Sequence, residues 1–386
     1  FHYFIHGILN ELISVMVKNI KNHIVGLVKK NKYYYIILDC TPDISHIEQM
    51  SIVIRFVTTC AGKMEIREHF VGFIPVTDTT GEGLTESLLK ELNEMEIPLS
   101  NMRGQGYDNG SNMKGKKAGV QNRIKLLNPR ATFIPCAAHS LNLVINDAAS
   151  SSGETINFFN LIQELYVFFS KSTSRWHVLK KHVKKLNLKP VCETRWESRI
   201  SAITPLRFQI EEIYDALVEI YLDQTRDSIA QSTAKGLSKQ ISCFKFLCSL
   251  VLWHDILSKI NIVSKMMQSP NLNVFECISL HKNIFSFLKS YRADEKFVEV
   301  INEARKMADL LESETNFPHP SQIRIRRKAR LFEYESQDDV ILDPQQNFKV
   351  NFFYFVIDVA INSLEERFIL MEKHNDTFGF YIIYLH

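Results

Sequence analysis

Two short apolar runs each end in an aspartate, and this pair of features constrains the chain more than any other. Tyr33-Tyr34-Tyr35-Ile36-Ile37-Leu38 runs into Asp39, and Asn101-Met102-Arg103-Gly104-Gln105-Gly106-Tyr107 runs into Asp108 and the turn-like Asn109-Gly110-Ser111-Asn112. A continuous apolar run rich in β-formers reads as a strand buried on both faces. A carboxylate at the carboxyl end of such a strand lies where open α/β sheets place their ligands. Two such carboxylates on neighbouring strands have the chemistry to hold Mg²⁺ for phosphoryl transfer. The competing reading makes each Asp a turn former or a helix cap.

The order of elements supports a mixed sheet. Leu9, Leu12, Ile13, Met16, Ile20, Ile24 and Val28 recur at spacings of three and four and predict a helix over 8–30. Three strands follow at 33–38, 50–57 and 66–76, the last two separated by Ala61-Gly62-Lys63, and together they read as an antiparallel meander. Thr79-Thr80-Gly81 opens a helix to about Glu94; a strand leads to Asp108, a helix covers about 115–127, a strand 131–135, and a helix runs from about Ala138 to Ala148. Ser150-Ser151-Ser152-Gly153 marks a boundary, beyond which the apolar stripes are helical. The segment 313–347, with Pro318, Pro320, a basic cluster and Asp338-Asp339, reads as a mobile, solvated loop.

Several stretches are similar to one family. Ile36-Ile37-Leu38-Asp39-Cys40-Thr41-Pro42-Asp43 is followed in order by Asp78-Thr79-Thr80-Gly81-Glu82, Asn101 to Met113, Cys136-Ala137-Ala138-His139-Ser140-Leu141-Asn142-Leu143, Glu193-Thr194-Arg195-Trp196-Glu197-Ser198-Arg199 and Leu364-Glu365-Glu366-Arg367-Phe368. This succession resembles the hAT-superfamily transposase core, nearest the zinc finger MYM-type protein 1-like group of transposase-derived proteins. The resemblance implies an α/β RNase H-like mixed sheet flanked by helices, interrupted by a mostly α-helical insertion domain. The expected division is 1–30 as an N-terminal helical segment, 31–149 as the first part of the core, and 150–386 as the insertion, with the C-terminal part of the core absent.

The resemblance also assigns roles. It implies Asp39 and Asp108 as catalytic metal ligands for Mg²⁺ and a third acid, a Glu, beyond the insertion; Glu366 is a weak substitute, so the site is expected to be incomplete. Where the family usually has an acidic residue and a second Thr, this chain has Cys40 and Pro42, departures that point to a retired enzyme. Asp43 reads most simply as the Asp of a turn. Cys136 and His139 are expected in the active-site region, against a buried Cys and a capping His; no second pair lies at zinc-finger spacing. Arg195 and Trp196 match the family's motif at the start of the insertion and are candidates to hold phosphate and stack on a base, against Trp196 packing the insertion and Arg195 pairing with Glu193 or Glu197.

Charge and composition narrow the class. A net charge of +3 does not by itself demand a nucleic-acid partner. Its distribution offers three clusters: Lys114, Lys116 and Lys117; Lys180, Lys181, Lys184 and Lys185; and Arg324, Arg326, Arg327, Lys328 and Arg330. The third reads as a DNA contact or as a nuclear localisation signal. Gly104, Gly106 and Gly110 are not a nucleotide-binding fingerprint, because no helix opens behind Gly-x-Gly. Seven irregularly spaced cysteines fit a reducing compartment. No secretory leader and no membrane span are expected. The expected function is a nuclear, transposase-derived DNA-handling scaffold with DNA and possible nuclear-protein partners. Its rivals are an active Mg²⁺-dependent transposase, if the full gene supplies the third acid, and a non-catalytic interaction module.

Overall fold

The structure is a computed structural model that describes residues 2–192, 196–269, 272–318 and 343–378. The chain divides into two compact units, one holding the residues up to Ser140 together with those from Leu370 on, the other Leu141–Ile369.

The first unit is built on a five-stranded sheet. A long helix, α1 (His2–Asn31), precedes β1 (Tyr34–Pro42), β2 (Glu48–Cys60) and β3 (Lys63–Val76); α2 (Gly81–Glu94), β4 (Met102–Tyr107), the short α3 (Ser111–Lys114), α4 (Val120–Leu127), β5 (Thr132–Pro135) and α5 (Ala137–Ala149) follow. The strand order is β3-β2-β1-β4-β5, with β1–β2 and β2–β3 antiparallel and β1–β4 and β4–β5 parallel. This is the mixed sheet expected, with the meander joining the parallel strands through β1.

Period-two alternation sorts each strand onto two faces. Tyr34, Ile36 and Leu38 of β1, with Met50, Ile52, Ile54 and Phe56 of β2, form the inner face. Ile24, Val25 and Val28 of α1, Leu84, Leu88 and Leu92 of α2, and Val120 and Ile124 of α4 share their core. Each such side chain contributes roughly 1.5–3 kcal/mol when fully removed from water. The outer face is more open: Tyr35 and Ile37 are half-buried, while Phe70 and Phe73 of β3 stay exposed. The expectation of a β1 buried on both faces is therefore corrected, since the helices of this core pack on one side.

Helix starts follow local chemistry. Thr80 caps α2 by accepting the Gly83 N–H at 3.2 Å, and Asp78 accepts the Thr80 N–H at 2.9 Å. The helix expected at 115–127 is α4 alone, beginning at Val120 behind a tight Gly115–Gly119 approach.

The second unit is helical. It contains α6 (Gly153–Ser170), α7 (Thr173–His182), α8 (Trp196–Phe208), α9 (Ile210–Leu222), α10 (Ser228–Ile241), α11 (Phe244–Met267), α12 (Val274–Tyr291), α13 (Asp294–Leu310), α14 (Pro344–Phe348) and α15 (Phe355–Phe378), the last two joined by a π-helical turn. Ser152 and Thr155 form a capping box at α6, within the Ser-rich segment. By length and composition alone α11 could cross a membrane, but 67% of its most apolar window is buried inside the protein. Trp253 sits edge-on to Phe159 at 4.9 Å between ring centres, as a core helix requires.

Candidate functional site

The register of two parallel strands brings the acids together. Tyr35 pairs with Gly104, Ile36 with Gln105 and Ile37 with Gly106. Continuing that ladder by two residues sets Asp39 opposite Asp108. A bulge produces this register, because Tyr34 pairs with Met102 and the next pair skips Arg103. Without the skip Asp39 would face Tyr107, a residue buried against Phe133 on the inner face. Arg103 secures the bulge by donating to the Ser100 and Met102 carbonyls at 2.8 and 3.0 Å, with its guanidinium 4.1 Å from the Tyr33 ring centre.

The same face explains the two glycines of β4. A Cβ on Gly104 would lie 2.0 Å from the Tyr35 ring, and one on Gly106 would lie 2.7 Å from its hydroxyl. Tyr35 lies across the glycine pair, two alternations before Asp39 on β1. Burial raises its hydroxyl pKa well above the usual value, with Arg55 opposing. Beneath, Gln105 is fully buried and donates to the Gln121 and Ala131 carbonyls at 3.1 and 2.9 Å while accepting the Tyr107 hydroxyl.

The Asp39 carboxyl feels the Asp108 charge. Surrounding protein raises the Asp39 pKa, the Asp108 charge raises it further, and the Cys40 N–H and His139 partly offset both. The same crowding pushes Cys40 up to about 12, with Glu48, Asp39 and Asp108 adding to it. Asp108 accepts the Gly110 N–H at 3.0 Å, which fixes the turn after β4.

Cys136 and His139 belong to this neighbourhood. Cys136 stands before α5, where its N–H donates to the Tyr107 carbonyl at 2.9 Å. Its thiol is solvent-exposed, yet the protein around it raises its pKa; the His139 and Ala138 N–H groups lower it, and Asp108 and Asp39 raise it. Asn109 donates to Ser140 and accepts from Lys114, both at 2.9 Å, tying the post-β4 turn to α5 and α3.

Asp43 has the turn role the sequence offered: it accepts the Ser45 and Ile47 N–H groups and the Gln49 amide at 2.8–3.0 Å. Glu366 is exposed on α15, in the helical unit. Among the described residues no group of three or more His, Cys, Asp or Glu side chains is arranged to hold a metal ion. Two hard carboxylates do suit Mg²⁺, which keeps water or phosphate oxygens in its remaining positions.

Arg195 and the cluster Arg324, Arg326, Arg327 and Lys328 lie outside the described residues, and Trp196 opens α8 without a described side chain. Glu197 pairs with Lys265 at 2.7 Å. In the second basic cluster Lys181 and His182 converge on Glu219 at 2.8 and 2.7 Å, and Lys184 folds back onto the Lys180 carbonyl.

Sequence reasoning missed Tyr35 and its glycine bed. The sequence signal is the pair Gly104 and Gly106 inside a strand, because glycine there marks a close approach.

Comparison with known proteins finds similarity to an RNase-like domain. Residues 2–119 match the model of the ZMYM1/FAM200, RNase-like domain. The human protein named 52 kDa repressor of the inhibitor of the protein kinase is 23% identical over 277 residues, covering 69% of this chain and 36% of that protein. Its mouse counterpart is 22% identical over 306 residues, covering 76% and 39%. The chain thus spans less than two-fifths of these relatives' length. With the sheet order, these matches identify residues 2–119 as similar to the ZMYM1/FAM200 RNase-like domain and support a transposase-derived origin for the chain.

Proposed function

We propose that this chain is a nuclear DNA-handling scaffold that keeps the acidic pair of its transposase ancestor and does not cut DNA by itself. The supporting observation is the placement of Asp39 and Asp108 at the ends of adjacent strands, where the Asp108 charge raises the cost of ionising Asp39. Such a pair stabilises no fold and suits a cation or a phosphate-bound cation. Asp39 and Asp108 would hold one Mg²⁺, which when bound would polarise a phosphate oxygen. The Gly110 N–H holds Asp108, and the Cys40 N–H supports Asp39 in its charged form. This reading assigns no third carboxylate among the described residues of the first unit; Glu366, the weak substitute, belongs to α15 in the second. The relatives are named for repression, which favours a regulatory role over cleavage.

The test is a nicking assay on supercoiled and branched DNA with Mg²⁺ or Mn²⁺. No cleavage is expected, while Mg²⁺ should raise the unfolding temperature of the parent protein and leave Asp108→Ala unchanged. Cleavage that disappears in Asp108→Ala would overturn the inactive reading; a Mg²⁺ response identical in both proteins would remove the metal assignment.

A further inference from the structure

The outer strand of the sheet has the features of a self-pairing edge. β3 pairs with β2 alone among the described strands, so one side of its backbone has no ladder partner. Cys60 and Lys63 close a two-residue hairpin through Ala61 and Gly62, whose φ angles of 49° and 79° are those a tight twisted turn requires. Antiparallel pairs alternate in where their backbone groups point. Counted from that turn, Lys63, Glu65, Arg67 and His69 bond inward to β2, while Met64, Ile66 and Glu68 turn their N–H and C=O groups outward. The regular stretch ends at the register shift beside Gly72, and Pro75 beyond it carries no N–H.

The side chains of this stretch are unusual for a solvent edge. Met64 is 74% exposed, Ile66 68%, and Val57, the β2 residue opposite Ile66, 51%. Charge then distinguishes the registers that the outward backbone groups permit. A two-fold at Glu65 sets Glu65 against Glu65 and Lys63 against Arg67. A two-fold at Arg67 sets Arg67 against itself. A two-fold at Ile66 sets Glu65 against Arg67 twice, in the non-hydrogen-bonded positions where side chains approach most closely, and stacks Ile66 on Ile66.

We propose that β3 is a homodimer seam: a second copy of this chain pairs antiparallel along residues 63–69 about Ile66, joining two five-stranded sheets into one. Outer-face apolar groups Val57, Met64 and Ile66 of both copies then cover one another across the seam.

Sedimentation of the chain over micromolar concentrations, with circular dichroism to confirm folding, tests this. The parent should dimerise. Glu65→Arg and Arg67→Glu should each weaken the dimer about tenfold or more, since both replace two attractions by two repulsions. An equimolar mixture of the two variants should recover the dimer, because one copy then carries a positive charge at both positions 65 and 67 and the other a negative charge at both. The intrastrand Arg67–Glu65 pair, 3.1 Å in the parent, is lost in both variants and not rebuilt by mixing, so recovery reports the seam alone. Ile66→Lys should also dissociate it. A monomeric parent, a mixture that stays monomeric, or variants that remain dimeric through another surface such as Ile8, Leu12 and Met16 of α1 would each overturn the proposal.

Discussion

Ionised Asp39 opposes the stability of the fold that carries it, and this makes its closeness to Asp108 testable without any ligand. The Asp39 carboxyl titrates above the ordinary carboxylate range through crowding and the Asp108 charge. The folded state therefore holds the Asp39 proton more tightly than the unfolded chain does. Stability from that group is full below the unfolded pKa and falls as pH rises through the folded one. Asp39→Asn should accordingly raise the unfolding temperature at pH 7–8, and the gain should vanish as pH drops below the normal carboxylate range. A gain that persists unchanged at acid pH would show that crowding by other groups, and not ionisation, sets the effect. Both acids were legible as strand-end carboxylates, since a short apolar run into Asp is a local signal. Their adjacency was not local: it depends on which strands pair and on a single skipped residue at Arg103.

The strand pair β1–β4 shows what residue-by-residue reading leaves out. Strand existence was legible from β-rich runs, and the observed β1, β2 and β3 extend the predicted ends by several residues because hairpin pairing carries regular structure into the turns. The packing of Tyr35 on Gly104 was not, because it joins residues far apart in sequence. Glycine in a strand is intrinsically unfavourable, so these glycines are retained for the ring that covers them. Gly104→Ala should destabilise the protein by about 1–3 kcal/mol, the usual cost of overpacking. In a Tyr35→Ala background the same change should be neutral or stabilising, since the ring is gone and the backbone entropy gain remains. Urea unfolding midpoints of the four proteins measure this coupling. Equal costs in both backgrounds would mean the ring is not what excludes a side chain at position 104. α11 carries a related lesson: its composition alone fits a membrane span, and only its burial among α8, α13 and the Phe159 ring identifies a core helix.

At the scale of the whole molecule the question is which basic groups can meet phosphate. A net charge of +3 leaves little general attraction, so binding must come from clusters. Around Lys181 the charge is partly spent on Glu219, and Lys184 bonds a carbonyl. Sequence alone could not show this, because Glu219 lies on α9, well beyond the reach of any local pattern. The cluster of Arg324, Arg326, Arg327 and Lys328 then becomes the main electrostatic candidate, with Trp196 as the stacking one. Binding of branched or single-stranded DNA should be weak and should fall steeply with salt. Replacing those four cations with Ala should lower the slope of log affinity against log salt by up to about 3 on single strands, at roughly 0.7 per phosphate contact. Trp196→Ala should instead weaken binding at every salt concentration, because stacking depends little on ionic strength. Lys181→Ala should leave the slope nearly unchanged, its charge being already engaged. A slope unaltered by the four-residue change would leave that cluster as a localisation signal, and undetectable binding at low salt would favour a protein that recruits partners without touching DNA.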